Sequence, residues 1–494
     1  MENRFNLVDE PWIPVVDVGL VSLNAVFSQP EYRALGGNPV QKIALTKLLL
    51  AIAQAAATPQ DDQQWQQWGI VGMNQRVLAY LEKWHDRFFL YGDRPFLQLP
   101  AIANAKIKSF GVVLPDVSTG NTTVLTQSQT EKLLSDADKA MVLVTLMGFA
   151  LGGKKTDNHV ILSPGYLGKT NDKGKASTGK PGPSVAYLGL LHTFCLGQVL
   201  QKTIWLNVFT VLDIQSLTQY TDLGCPPWEN MPVGEVCPVA MALTTSLMGC
   251  LVPLSRFCLL AEQGLHYSEG ISYGGYKEGH YDPSITANLA GKEIKVTWVN
   301  PEKRPWRELT AMLGFIDTDA KSHAECLQLR MALPKAKKNG ERFAIWSGGL
   351  RVSSNAGEQF VSGSDDALES VSWIEANQVG QVWFEKFQSE MEVLDRVAKT
   401  LYGSVMGYFK ELKIEGGQYA AQASHQFWQL CERESQYLID NCEKPELRHC
   451  LRYKFTGYAA QTFNQFCPQN TARQLETWAK CRPGFAVYLQ QEGV

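Results

Sequence analysis

The chain has 494 residues, 45% of them apolar and 19% charged, with a formal net charge of −3. These figures exclude a disordered polyelectrolyte and a body that draws phosphate by its overall charge, so any nucleic-acid contact has to be local or shared with a partner. The length exceeds what one hydrophobic core usually serves and predicts at least two domains.

The N-terminus, MENRFNLVDE, holds acids and no apolar core of signal-peptide length, so we expect a cytoplasmic protein without a secretory address. WIPVVDVGLVSLNAV alternates around Gly19 and predicts a short hairpin, with Pro11 and Pro14 confining its first strand to an edge. Asn38, Pro39 and Gln41 have the spacing of a capping box ahead of IALTKLLLAIAQAAA, a helix apolar nearly all round and hence central. A second helix is predicted near 74–90 from Val77, Leu78, Leu81, Trp84 and Phe88, followed by the turn GDRPFLQ. Ser135, with Asp136 and Asp138 in the first turn, starts a third helix through AMVLVTLMGFAL, too short and too interrupted to cross a membrane.

GFALGGKKT matches GxxxxGK at Gly148, Gly153 and Lys154, but Lys155 stands where a P-loop needs Ser or Thr and a helix precedes it where a strand should. Its glycines read better as a helix end. The stretch from Ser163 to Ser184 carries Lys169, Lys173, Lys175 and Lys180 against Asp172 alone. Gly165, Gly168, Gly174, Gly179 and Gly182 among them remove side chains that would block a close approach. Lysine beside glycine suits a nucleic-acid groove, and it equally suits a solvated loop.

From about 185 to 350, TIWLNVFTVL, EIKVTWV and RFAIWSGGLRV read as strands. Two more basic concentrations occur, Lys303, Arg304 and Arg307, then Lys335, Lys337, Lys338 and Arg342, each compatible with solvated surface or phosphate contact. Asp365, Asp366 and Glu369 could form a metal-binding acid cluster, with Asp365 and Glu369 sharing a helix face. The plainer reading makes Ser364 an N-cap with acids in the first turn.

After 370, helices are expected near 374–413, 417–442, 444–467 and 469–490. In the first, Val379, Trp383, Phe387, Met391, Leu394, Ala398, Leu401, Val405 and Phe409 form one apolar stripe. Short connections then favour a four-helix bundle. The eleven cysteines form no CxxC and read as reduced core thiols, and no HExxH, GxSxG or His/Cys ligand spacing occurs, so an enzyme is disfavoured.

NLVDEPWIPV at 6–15 resembles the opening signature of the CasA family, the large subunit of the type I-E Cascade CRISPR surveillance complex. RPFLQ at 94–98, VSTGNTTVLTQ at 117–127 before a helix ending in FALGG, GGLRVSSNAGEQFVSGSDD at 348–366 and the closing helices look like further family landmarks. The resemblance implies an α+β fold: an irregular mixed α/β N-terminal domain over 1–370, for guide-handle and protospacer-adjacent-motif recognition, then a C-terminal four-helix bundle over 371–494. It implies a subunit without catalysis, cofactor or metal. Its partners would be other Cascade subunits, CRISPR RNA, double-stranded target DNA and a recruited helicase-nuclease, with no membrane.

By the same resemblance the guide-handle loop falls on Leu125, Thr126 and Gln127. The glycine loop that meets the motif falls within Gly165 to Gly182, giving Gly165, Gly168, Lys169, Lys173, Lys175, Gly179, Lys180 and Gly182 as DNA-binding candidates. The duplex-splitting wedge falls on Arg351, Ser353, Ser354, Asn355 and Ala356, and His266 and Lys277 are candidates for a further motif contact. The rival reading from another class is a metal-dependent hydrolase using Asp365, Asp366 and Glu369.

Overall fold

The computed structural model describes residues 2–114, 134–152, 156–157, 160–163, 188–289, 292–317, 324–355, 358–363 and 365–489. The fold is α+β with a helical C-terminal region, and the chain divides into two units. One comprises Met1–Pro305, Lys321–Asn339 and Phe343–Ser370, the other Trp306–Ala320, Gly340–Arg342 and Val371–Val494. Among the described residues no helix is long and apolar enough to cross a membrane.

In the first unit the expected hairpin forms. β1 (Ile13–Val15) pairs antiparallel with β2 (Gly19–Val21), and Asp17 (φ 64°) and Gly19 (φ 104°) supply the left-handed backbone of the reversal. The strands β3 (Ile107–Lys108), β4 (His192–Leu196), β5 (Arg256–Ala261), β6 (Gly264–Glu269), β7 (Phe343–Leu350), β8 (Ser353–Asn355), β9 (Glu358–Phe360) and β10 (Ala367–Ile374) build three sheets. Their orders are β3–β6–β5, β10–β7–β4 and β8–β9. All eight residues of β7 are buried, so its sequence is a continuous run rather than an alternation. A Cβ at Gly349 would lie 2.6 Å from Val299, which is why the run contains glycine.

The central helix α1 (Pro39–Ala56) begins at the expected box. Asn38 Oδ1 accepts from the Gln41 amide at 2.9 Å, and Gln41 Oε1 from the Asn38 amide at 3.0 Å. It packs against α2 (Asp62–Lys83), α3 (Asp136–Leu146), α4 (Leu200–Asn207) and β7. α3 starts at Ser135 as expected, with a capping box between Ser135 and Asp138, but it stops at Leu146, short of the expected run through Leu151.

Four expectations need correction. The second helix starts earlier, at an Asp61 cap, and ends at Lys83, so Phe88 sits in a turn before the strand Phe89–Tyr91. TIWLNVFTVL is not a strand: it spans the end of α4, a three-residue link and the start of α5 (Val211–Leu217), which opens on a Thr210–Asp213 capping box. Every residue of α4 is buried, and burial on all sides erases the period that separates helix from strand. EIKVTWV contributes only the two-residue strand Lys295–Val296. DDALES leads into a strand instead of a helix, because Leu368, Ser372 and Ile374 alternate inward along β10.

In the second unit α6 (Gln381–Glu411) buries Trp383, Phe387, Met391, Leu394, Ala398, Leu401, Val405 and Phe409 along one stripe. It begins at Gln381 rather than near 374, since β10 claims the residues through Ile374. α6 packs against α7 (Gly417–Glu432), α8 (Pro445–Phe466) and α9 (Ala472–Cys481), and α7 against α8. A separate short helix, Ser435–Asn441, follows α7. Buried Glu390 of α6 takes Arg452 of α8 through two hydrogen bonds, at 2.9 and 2.6 Å. All eleven cysteines are free; seven are buried, while Cys225 and Cys450 are exposed.

Candidate nucleic-acid interface

Within 348–366 the buried end of β7 leads into a short braced hairpin. β8 and β9 pair antiparallel with Ser353 opposite Phe360 and Asn355 opposite Glu358. Ser354 and Asn355 are exposed at the end of β8; Ala356 lies outside the described residues. At the root, Arg351 Nε stands 3.3 Å from Asp365 Oδ1, the Ser362 amide donates to Asp365 Oδ2 at 2.7 Å, and the Ser353 and Ser362 hydroxyls are hydrogen-bonded at 3.2 Å. Burial alone would raise the Asp365 carboxyl. The Ser362 amide, the two serine hydroxyls and Arg351 outweigh it and hold the group below its ordinary value. On the return strand the Gln359 amide donates to Gly152 O at 2.9 Å, and Gln359 Oε1 accepts from the Gly152 amide at 3.0 Å. Ser353, Ser354 and Asn355 thus share β8, with Arg351 at its root.

The two candidates for a further motif contact sit on separate elements. His266, half-buried in the middle strand β6, bonds through Nδ1 to Ala105 O at 2.7 Å. Lys277 is exposed in a short 3₁₀ turn and lies 3.6 Å from Glu293. Leu125 to Gln127 and the whole of Gly165 to Gly182 lie outside the described residues, as do Gly153, Lys154 and Lys155. The chain leading to the lysine-rich stretch is anchored, however. Buried Glu235 accepts from the Leu162 amide at 3.2 Å and from the Ser163 amide at 2.9 Å, and Ser163 Oγ accepts from the Val236 amide at 3.0 Å.

The other basic concentrations are largely committed within the fold. Lys335 is buried and donates to Asp213 at 2.8 Å and to Val208 O at 2.9 Å, so it is no phosphate ligand. Lys338 pairs with Asp62, and Arg342 with Glu375 and Asp440. The Arg307 guanidinium lies 3.6 Å over the Trp428 ring.

The three acids of the hydrolase reading do not converge. Glu369, on a strand and not a helix face, takes Lys42 on both oxygens at 2.9 and 2.8 Å and the Trp346 indole at 2.8 Å. Asp365 is spent on the hairpin root, and Asp366 accepts the Ala367 and Arg351 amides through its side chain and carbonyl. Among the described residues no group of three or more His, Cys, Asp or Glu could hold a metal.

One charged cluster escaped the sequence reading. Lys47 of α1, fully buried, donates to Asp282, whose other oxygen accepts from the Ser284 amide and hydroxyl at 2.9 and 2.7 Å; His192 Nδ1 lies 3.9 Å from Asp282. Lone charged letters in apolar runs were the only signal for it, and none gave the partner.

Comparison with known proteins agrees with this architecture. The family model for CRISPR-associated protein Cse1 matches residues 6–479. A CRISPR-associated protein CasA/Cse1 of Thermus thermophilus is 29% identical over 357 residues, which span 66% of this chain and 64% of that protein's length. Thermobifida fusca Cse1 superposes with a TM-score of 0.76 at 17% identity, covering 99% of this chain and 98% of that one. A chain of a solved CRISPR RNA-guided surveillance complex gives 0.67 at 14% identity, covering 99% of this chain and 100% of that one.

Proposed function

The chain belongs to the CRISPR-associated Cse1 family, and on that premise we propose that it is the non-catalytic large subunit of a type I-E Cascade complex in the cytoplasm. It recognises a protospacer-adjacent motif in double-stranded DNA, helps open the duplex for R-loop formation and docks the helicase-nuclease. Its N-terminal part, 1–370, contacts the guide handle through Leu125 to Gln127 and the motif through Gly165 to Gly182; 371–494 forms a four-helix bundle. Base pairing to CRISPR RNA then reads the target sequence, and this subunit reads only a short duplex feature. Minor-groove readout separates mainly A·T from G·C, so several related motifs are tolerated.

The observation that carries this reading is the braced hairpin with Ser354 and Asn355 exposed at its end, in a chain matched to the family from residue 6 to 479. Small polar residues unstack bases less strongly than an apolar wedge, so the tip acts by hydrogen-bonding a base already loosened. Replacing Ser354 and Asn355 with glycine in the assembled complex is expected to slow permanganate-detected strand opening while initial duplex binding stays near wild type; unaltered opening rejects the wedge. Incubating the isolated chain with labelled DNA and magnesium or manganese should leave every strand intact, and cleavage would favour the hydrolase.

A further inference from the structure

We propose that Gln359 is a positioning residue that locks the hairpin to the core at Gly152 and so fixes the direction in which Ser354 and Asn355 are presented, an inference that rests on the wedge reading above. A two-stranded hairpin of three-residue strands is marginal in water by itself, so its stiffness has to come from its supports. The Asp365 cluster holds both ends of the hairpin to each other. Gln359 ties it to the segment that follows α3. It takes both backbone groups of Gly152, donating its own amide to the carbonyl and accepting the Gly152 amide on its side chain. Two bonds to one residue set an angle as well as a distance.

Gly152 is a firm point of attachment. It follows α3, whose last turns are buried against α1, and Phe149 and Leu151 between them are buried too. Met147 O accepts from both the amide and the hydroxyl of Ser255, at 2.8 and 3.0 Å. A Cβ at Gly152 would stand 3.3 Å from Gln359 Oε1, so glycine permits this approach. A tip that parts stacked bases bears load, and a hairpin free to swing at Gly152 would yield to the duplex without opening it. The residue therefore acts on opening rather than on capture.

The test compares Gln359→Met, near in size but without the acceptor, with Gln359→Glu, which keeps it. In the full chain without DNA, loss of one hydrogen bond should speed amide exchange over 353–360 by about five- to tenfold in the Met variant and leave the Glu variant near wild type. In the assembled complex the Met variant should slow permanganate-detected opening by a similar factor of about five to ten, with duplex capture within about twofold. Unchanged exchange in the Met variant overturns the lock. Faster exchange with normal opening overturns the positioning role, provided the Ser354 and Asn355 glycine variant slows opening in the same assay. Should that tip variant also open DNA normally, the wedge reading falls and this inference with it, while the exchange result still reports the lock.

Discussion

Lys47 and Asp282 show what a single residue can decide in this fold. Both are almost wholly buried, and each would be costly alone. Burial by itself would lower the Lys47 amine, but Asp282 and Cys250 hold it above its ordinary value; burial would raise the Asp282 carboxyl, but Lys47 and His192 hold it below. Replacing Lys47 with Met strands the carboxylate, and we expect a loss of about 3–5 kcal/mol in denaturant unfolding at neutral pH. Adding Asp282→Asn to that variant should recover part of the loss, because Asn keeps an acceptor for Ser284 and carries no charge. The acid side has a definite sign. A carboxyl depressed in the fold stabilises above its unfolded value of about 3.9 and loses that contribution as pH falls through the lower folded value. Wild type and Lys47→Met should therefore differ fully near neutrality and converge in strong acid. A difference that widens in acid would refute the assignment.

At the scale of elements, Asp365 is the piece that closes the hairpin root. Asp365→Asn keeps the shape but forfeits the ion pair with Arg351 and weakens the acceptor facing the Ser362 amide, so amide exchange across 353–360 should quicken by about three- to tenfold near neutral pH. As pH falls through the depressed Asp365 value the wild-type hairpin should loosen towards the variant. Elements of this kind divide by how local their causes are. The helix starts at Asn38 and Ser135 were legible because the capping side chain and its amide are three residues apart. The run at 203–212 was not, since burial of every α4 residue leaves no polar face to set a period. Nor was β10, whose strand state depends on pairing with β7 rather than on the first-turn acids that suggested a helix. The site divides in the same way. Ser354 and Asn355 could be picked out by the surrounding landmark, whereas Gln359 and Glu235 matter through partners 207 and 72 residues away, a distance over which one sequence carries no pairing signal.

For the whole molecule, the placement of charge matters more than its sum. A net charge of −3 over 494 residues gives no general pull on DNA, and several described cations are already matched to acids, among them Lys335, Lys338, Arg342 and Lys42. The stretch from Ser163 to Ser184, with four lysines and one acid, is where the sequence leaves positive charge locally unbalanced. If these lysines meet phosphates in the assembled complex, each contact contributes about −0.9 to the slope of log affinity against log salt, and all four at most about −3.6. Changing Lys169, Lys173, Lys175 and Lys180 to alanine should therefore weaken duplex capture, flatten that slope by up to this amount, and leave assembly with CRISPR RNA intact. The loss should be greatest at low salt and shrink as salt rises, since screening removes from the wild type the same contribution that the substitutions remove. It should also fall on motif-bearing duplexes of any guide-matched sequence alike, because phosphate contacts position a protein without reading bases. Capture that is unchanged at moderate salt would assign the stretch to solvent and move motif recognition elsewhere on the subunit.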